Sequence, residues 1–241
     1  MSDVRERKLL FWAGLAGVLA AMSWIVGDIF IVGHIVDHAA YPLLFTTYAD
    51  RIDISFAEHL VGVSRERLMT GALIAVFTMP LYLVGGWHLW CGIRSVGRIW
   101  ALTAALLMFA GYAFSPFAHA AFYFVGALYQ TLLITEPSVH PSLLALAGEF
   151  RHILMIVWAP SVACQFLGML MFSLAIATGR SEYPYWFALS SNPMLLGALT
   201  IGGPALLDGT IGSALGSAAF NTTWLLVYLQ SLLLLRKHRD E

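Results

Sequence analysis

Six apolar runs, at residues 9–35, 68–93, 99–134, 143–177, 185–207 and 211–235, dominate the chain, and each is long enough to cross a bilayer as a helix, which takes about 20 residues. In lipid, an unpaired backbone N–H or C=O finds no water, so such runs must close their own hydrogen bonds as helices. Only 11% of the 241 residues are charged, where soluble domains carry roughly a quarter. The chain therefore reads as all-α, a polytopic bundle of six transmembrane helices forming one domain over 1–241, with membrane lipids around it. A net charge of −1 argues against a nucleic-acid partner. Cys91 and Cys164 lie in separate apolar runs and read as small core residues. The first run follows Arg5, Arg7 and Lys8, is too long for a signal-peptide core and lacks a convincing cleavage site.

The basic residues orient this bundle. Arg5, Arg7, Lys8, Arg94, Arg98, Arg180, Arg236, Lys237 and Arg239 fall on one side, against Arg51, Arg65, Arg67 and Arg151 on the other. Both termini are expected in the cytoplasm. Six of the eight histidines (34, 38, 59, 119, 140 and 152) map to the outer half. The long loop at 34–67 lies outside as well. Ser55 and Glu58 have capping-box spacing, which predicts a short helix lying on the surface or capping the bundle. Ser64 is a candidate N-cap for the second span. His88, between Trp87 and Trp90, reads as an interfacial anchor. The third and fourth runs exceed one crossing, so both helices should extend outward as a hairpin. Its apolar faces would be covered by the 34–67 cap or by a second copy in a homo-oligomer.

Within the third run, Tyr112, Ser115, His119, Tyr123 and Gln130 fall on one stripe at about 100° per residue. A polar stripe on a membrane helix must face protein or water. Pro116 should disturb the helix just before His119 and free a carbonyl there. Asp28 lies inside an otherwise apolar span, where a carboxylate is costly unless paired, hydrated or protonated. A protonated Asp28 would suit a general acid or a proton-coupled carrier; a structural hydrogen bond to Asn221, Gln165 or Tyr112 is the alternative. Glu149 and His152 share one helical face at the spacing by which bundles present metal ligands. No second such motif exists, so no metal ligand is assigned, although His119 with Asp28 or His34 could complete a site for a transition metal. Gly212 and Gly216 suit close helix packing in the last hairpin, around Asp208. There is no P-loop, nucleophile elbow, zinc-protease motif or dinucleotide fingerprint. Mid-span lysines and internal repeats are also missing.

Gly27-Asp28, Arg67-Leu-Met-Thr-Gly71, Pro80-Leu-Tyr-Leu83 with Gly86-Trp-His88, the stretch from Ser115 to Gly126, and Phe220-Asn221 together resemble an uncharacterised family of six-span bacterial membrane proteins. The resemblance implies a bacterial inner-membrane location and brings no assigned activity.

The leading expectation is an outer-leaflet pocket accepting a hydrophobic or lipid-like small molecule for acid–base chemistry. Asp28, His119, Glu149 and His152 would be the catalytic candidates, with Tyr112, Tyr123, Trp158, Gln165 and Asn221 lining the ligand. The alternatives are a proton-coupled carrier, for which the inner halves of the helices offer little polar path, and a structural or assembly subunit.

Overall fold

A computed structural model describes residues 2–207 and 209–237; Asp208 and Arg239 lie outside the described residues. The described residues are helical with short connections. In order, the α-helices are α1 (Ser2–Val32), α2 (Ile54–Leu60), α3 (Arg65–Ile93), α4 (Arg98–Leu132), α5 (His140–Ala177), α6 (Phe187–Ser190), α7 (Pro193–Gly202), α8 (Gly209–Ser217) and α9 (Ala219–Lys237). Each of the long helices α1, α3, α4 and α5 is long and apolar enough to cross a membrane. The pair α8 and α9 passes the same length and composition requirement only together, and it is bent by 63° at Ala218.

The fifth apolar run departs from a single long helix. Asn192 caps α7 by accepting from the Met194 amide at 2.9 Å, and Pro193 supplies the first turn. Gly202-Gly203-Pro204 ends it. Ten residues span about 15 Å, half a hydrocarbon core. Gly212 packs back on the carbonyls of Leu207 and Pro204, within its own connection, instead of against a long neighbour.

Around the bundle, α1 packs on α3, α3 on α4 and α4 on α5, while α7 bridges α5 to α9 and α9 returns to α1. Small residues let backbones touch where α1 crosses α3. A Cβ on Gly85 would lie 2.5 Å from Gly17 Cα, and one on Gly71 would lie 2.7 Å from the Gly27 carbonyl oxygen. Backbone contact at this range and interhelical hydrogen bonds are the close interactions that join these apolar helices.

Two buried clusters result. One, between the helices, is aromatic and includes Trp24, Tyr82, Tyr112, Phe172, Trp224 and Tyr228. The other joins the 34–64 segment to the far ends of α4 and α5 through Leu44, Leu60, Val125, Tyr129, Leu132 and Leu144. The first loop thus covers part of the α4–α5 hairpin: Leu132 and Leu144 are buried, while Phe124 and Leu146 stay exposed. Ser64 caps α3 as expected, accepting from the Arg67 amide at 3.2 Å. The cap helix starts two residues earlier than the capping-box reading. Asp53 occupies its N-cap, Ser55 donates to Asp53 at 2.6 Å, and Glu58 turns to His38 at 3.0 Å. Gln130 ties the cap to α4 by donating to the carbonyls of Leu60 and Val63 at 2.8 and 2.9 Å.

Most of the outer histidines are fasteners of this cap. His59 donates to the His34 carbonyl at 2.7 Å, and His38 stacks on Phe45. His140 donates to the Thr135 carbonyl and accepts from the Tyr48 hydroxyl at 2.8 Å.

Candidate functional site

The buried stripe of α4 brings His119 against Asp28 of α1. His119 Nε2 lies 3.0 Å from Asp28 Oδ1, and its Nδ1 lies 2.8 Å from the Ser115 carbonyl oxygen, the residue before Pro116. A carbonyl oxygen only accepts, so Nδ1 carries a hydrogen. The short contact between Nε2 and Oδ1 then needs one more proton between them. Either an imidazolium faces a carboxylate or a neutral imidazole accepts from a carboxylic acid. The pair therefore holds one shared proton in either form.

Its surroundings fix it in place. Asn221 of α9 donates to Asp28 Oδ2 at 2.6 Å and accepts from the Tyr82 hydroxyl of α3 at 2.7 Å. The Trp24 ring sits edge-on to His119, 5.1 Å between centroids, and is held by its N–H on Thr78 at 3.0 Å. The α1 carboxylate is thus bonded directly by α4 and α9, and α3 reaches it through Asn221. The Asp28 and His119 side chains keep 14% and 11% of their exposure, so the pair is enclosed without being sealed.

From this pair a column of buried polar and aromatic groups runs along the bundle. Tyr82 stacks on Tyr112, 4.6 Å between centroids and 14° from parallel, and the Tyr112 and Tyr228 hydroxyls are 3.0 Å apart. One turn further along α9, Ser231 lies 2.6 Å from the Tyr183 hydroxyl and 2.8 Å from His88 Nε2. His88 Nδ1 donates to the Leu10 carbonyl at 2.9 Å. His88 is 1% exposed, which corrects its reading as an interfacial anchor: Trp87 faces outward, and one step of about 100° turns His88 inward. Of the column's tyrosines, Tyr112 is on the stripe predicted from sequence, while Tyr82 and Tyr228 lie in runs that otherwise read as apolar and Tyr183 just precedes the fifth run.

The other candidates divide. Tyr112 belongs to the column. Gln165 accepts from the Trp224 N–H at 2.9 Å and donates to Ser161, and Trp224 in turn lies edge-on to Tyr112. Tyr123 is half-buried against Phe124, and Trp158 is 39% exposed. Glu149 and His152 lie exposed on α5. Arg151, between them, turns the opposite way and pairs with Asp53. Among the described residues, no three His, Cys, Asp or Glu side chains gather as a metal would require. The residues missed from sequence are Tyr82, Trp24 and Thr78. A hydroxyl-bearing aromatic two residues after Pro80 and three before Gly85 was the available signal for Tyr82.

Comparison with known proteins gives one match. The model of a family described as "Family of unknown function (DUF6796)" covers residues 1–238. No curated protein and no solved structure matches the chain.

Proposed function

We propose that this chain, which belongs to that family of unknown function, is an integral membrane protein that takes up and releases a proton at Asp28–His119 and couples it to the passage of a small molecule. The observation that carries this reading is the one-proton pair and the polar column leading from it toward His88. Buried ionisable residues in membrane helices mark proton relays and substrate paths. In this reading the fifth crossing takes the whole broken stretch 185–207, of which α7 covers only half the core, the α8–α9 pair makes the sixth, the termini lie on the basic, cytoplasmic side, and the membrane is a bacterial inner membrane.

Reconstitution in liposomes containing a pH-sensitive dye tests it. The intact protein should relax an imposed pH gradient, and Asp28→Asn or His119→Gln should lower the rate at least about tenfold, as expected when a proton-transfer group is lost. Equal rates in all three proteins would sink the carrier reading.

A second reading, acid–base chemistry on a lipid-like molecule, draws on a different observation. A cavity of about 170 Å³ between α5, α7 and α9 is walled by Gln165, Phe166, Thr200, Phe220 and Thr223. Phe220 precedes Asn221, so an acyl or isoprenoid chain there would end close to the pair. Native mass spectrometry of gently released protein would show a bound species of defined mass; bare protein argues for the carrier.

A further inference from the structure

A second, larger cavity lies apart from the Asp28 site, at the capped end of the bundle. It holds about 480 Å³ and is walled by residues 49–55 of the cap with Tyr129, Ala147, Gly148 and Arg151. That volume is in the range of small-molecule sites, roughly 300–1,000 Å³.

The wall is built from charge of both signs. Arg151 directs Nε and Nη2 at Asp53 Oδ2, with Nε at 2.7 Å and Nη2 at 2.6 Å. Its remaining guanidinium edge stays available, and the Arg151 side chain is 44% exposed. Asp53 is fixed further by Ser55 at 2.6 Å, so the pair is a rigid floor. The Tyr129 hydroxyl accepts from the Asp53 amide at 3.4 Å, which leaves its own hydrogen to donate. On the rim, Asp50 and Arg51 are exposed neighbours with no side-chain partner among the described residues. The cavity therefore offers one uncommitted cation with two further donors, and one uncommitted anion. At Gly148 nothing lies within 4 Å of where a Cβ would stand. Glycine there leaves the space open.

We propose that this cavity binds a small zwitterionic group, its anionic oxygens facing Arg51, Arg151 and Tyr129 and its ammonium facing Asp50. Guanidinium forks suit carboxylate and phosphate oxygens, and a lone carboxylate beside them selects against plain anions. The same chemistry is carried by a free molecule of the phosphoethanolamine type and by the head group of an ethanolamine phospholipid.

The test uses the full chain stripped of lipid in detergent. Phosphoethanolamine and glycerol phosphate are titrated calorimetrically, and ethanolamine and glycerol phospholipids are compared by native mass spectrometry. The ethanolamine compound should bind at least about tenfold tighter than its glycerol counterpart, one charge-assisted contact's worth. Asp50→Asn should abolish that preference. Arg51→Gln should weaken every ligand about tenfold, and Gly148→Phe should block them all while the unfolding temperature holds. Binding of the soluble compound alone assigns a free ligand; retention of the lipid, displaced by the soluble compound, assigns a head group. Should Gly148→Phe unfold, the two exposed rim variants decide. No ethanolamine preference, or wild-type binding in Arg51→Gln and Asp50→Asn, overturns the proposal.

Discussion

At the scale of single residues, Asp28 illustrates how an apolar helical bundle treats a polar group. Its two oxygens face His119 and Asn221, and removing it abandons both partners among largely buried side chains. Asp28→Asn keeps a hydrogen-bonding amide of the same shape, whereas Asp28→Leu leaves two buried groups unpaired. The second should cost about 2–3 kcal/mol more than the first, as unsatisfied buried partners do. Unfolding by SDS in mixed micelles would measure the difference. That Asp28, His119 and Asn221 belong together was legible in the sequence, because isolated polar groups in apolar runs have few places to go except toward one another. Tyr82 was not, since an aromatic hydroxyl is equally at home against lipid or at an interface. The Glu149–His152 spacing was real, but spacing names a helix face without saying which way it looks.

At the scale of elements, the packing of α1 on α3 depends on the absence of side chains. Gly85→Leu would drive atoms into the Gly17 backbone and should destabilise by about 3 kcal/mol or drive the helices apart, as overpacking does. Gly197→Leu, where a Cβ meets open space, should change SDS unfolding little. The cap answers to pH. Burial raises the Asp53 carboxyl, but the hydrogen bonds from Ser55 and Arg151, the Arg151 charge and the Phe56 amide outweigh it and hold it below its ordinary 3.8. A lowered carboxyl contributes stability that is present above its unfolded value and fades as pH falls through the folded one. The 34–64 cap should therefore resist pepsin at about pH 4.5 and yield toward about pH 2.5. Asp53→Asn should lack that step and be cut readily throughout. Hydropathy found α1, α3, α4 and α5 because each is one unbroken apolar run. It passed over the breaks around α7, although Asn192-Pro193 and Gly202-Gly203-Pro204 are start and stop signals.

At the scale of the whole molecule, the column predicts where substitutions will interact. Asp28→Asn and Tyr82→Phe act through the same Asn221 amide, so their effects on SDS unfolding should depart from additivity by about 0.5 kcal/mol or more. Arg151→Ala, which frees Asp53 of the cap, and Ser231→Ala near the far end share no partner and should add. The glycine contacts between α1 and α3 carry one more consequence. Two helices whose backbones touch at two separate points cannot slide past each other without separating, so they form a stator. Asp28 and Tyr82 sit on that stator, while the amide that reads both of them belongs to α9, which begins at a 63° bend. A change of charge at Asp28 would therefore act first on the hold between α1 and α9. The glycines, which do no chemistry themselves, keep Asp28 and Tyr82 in the register that one amide can reach.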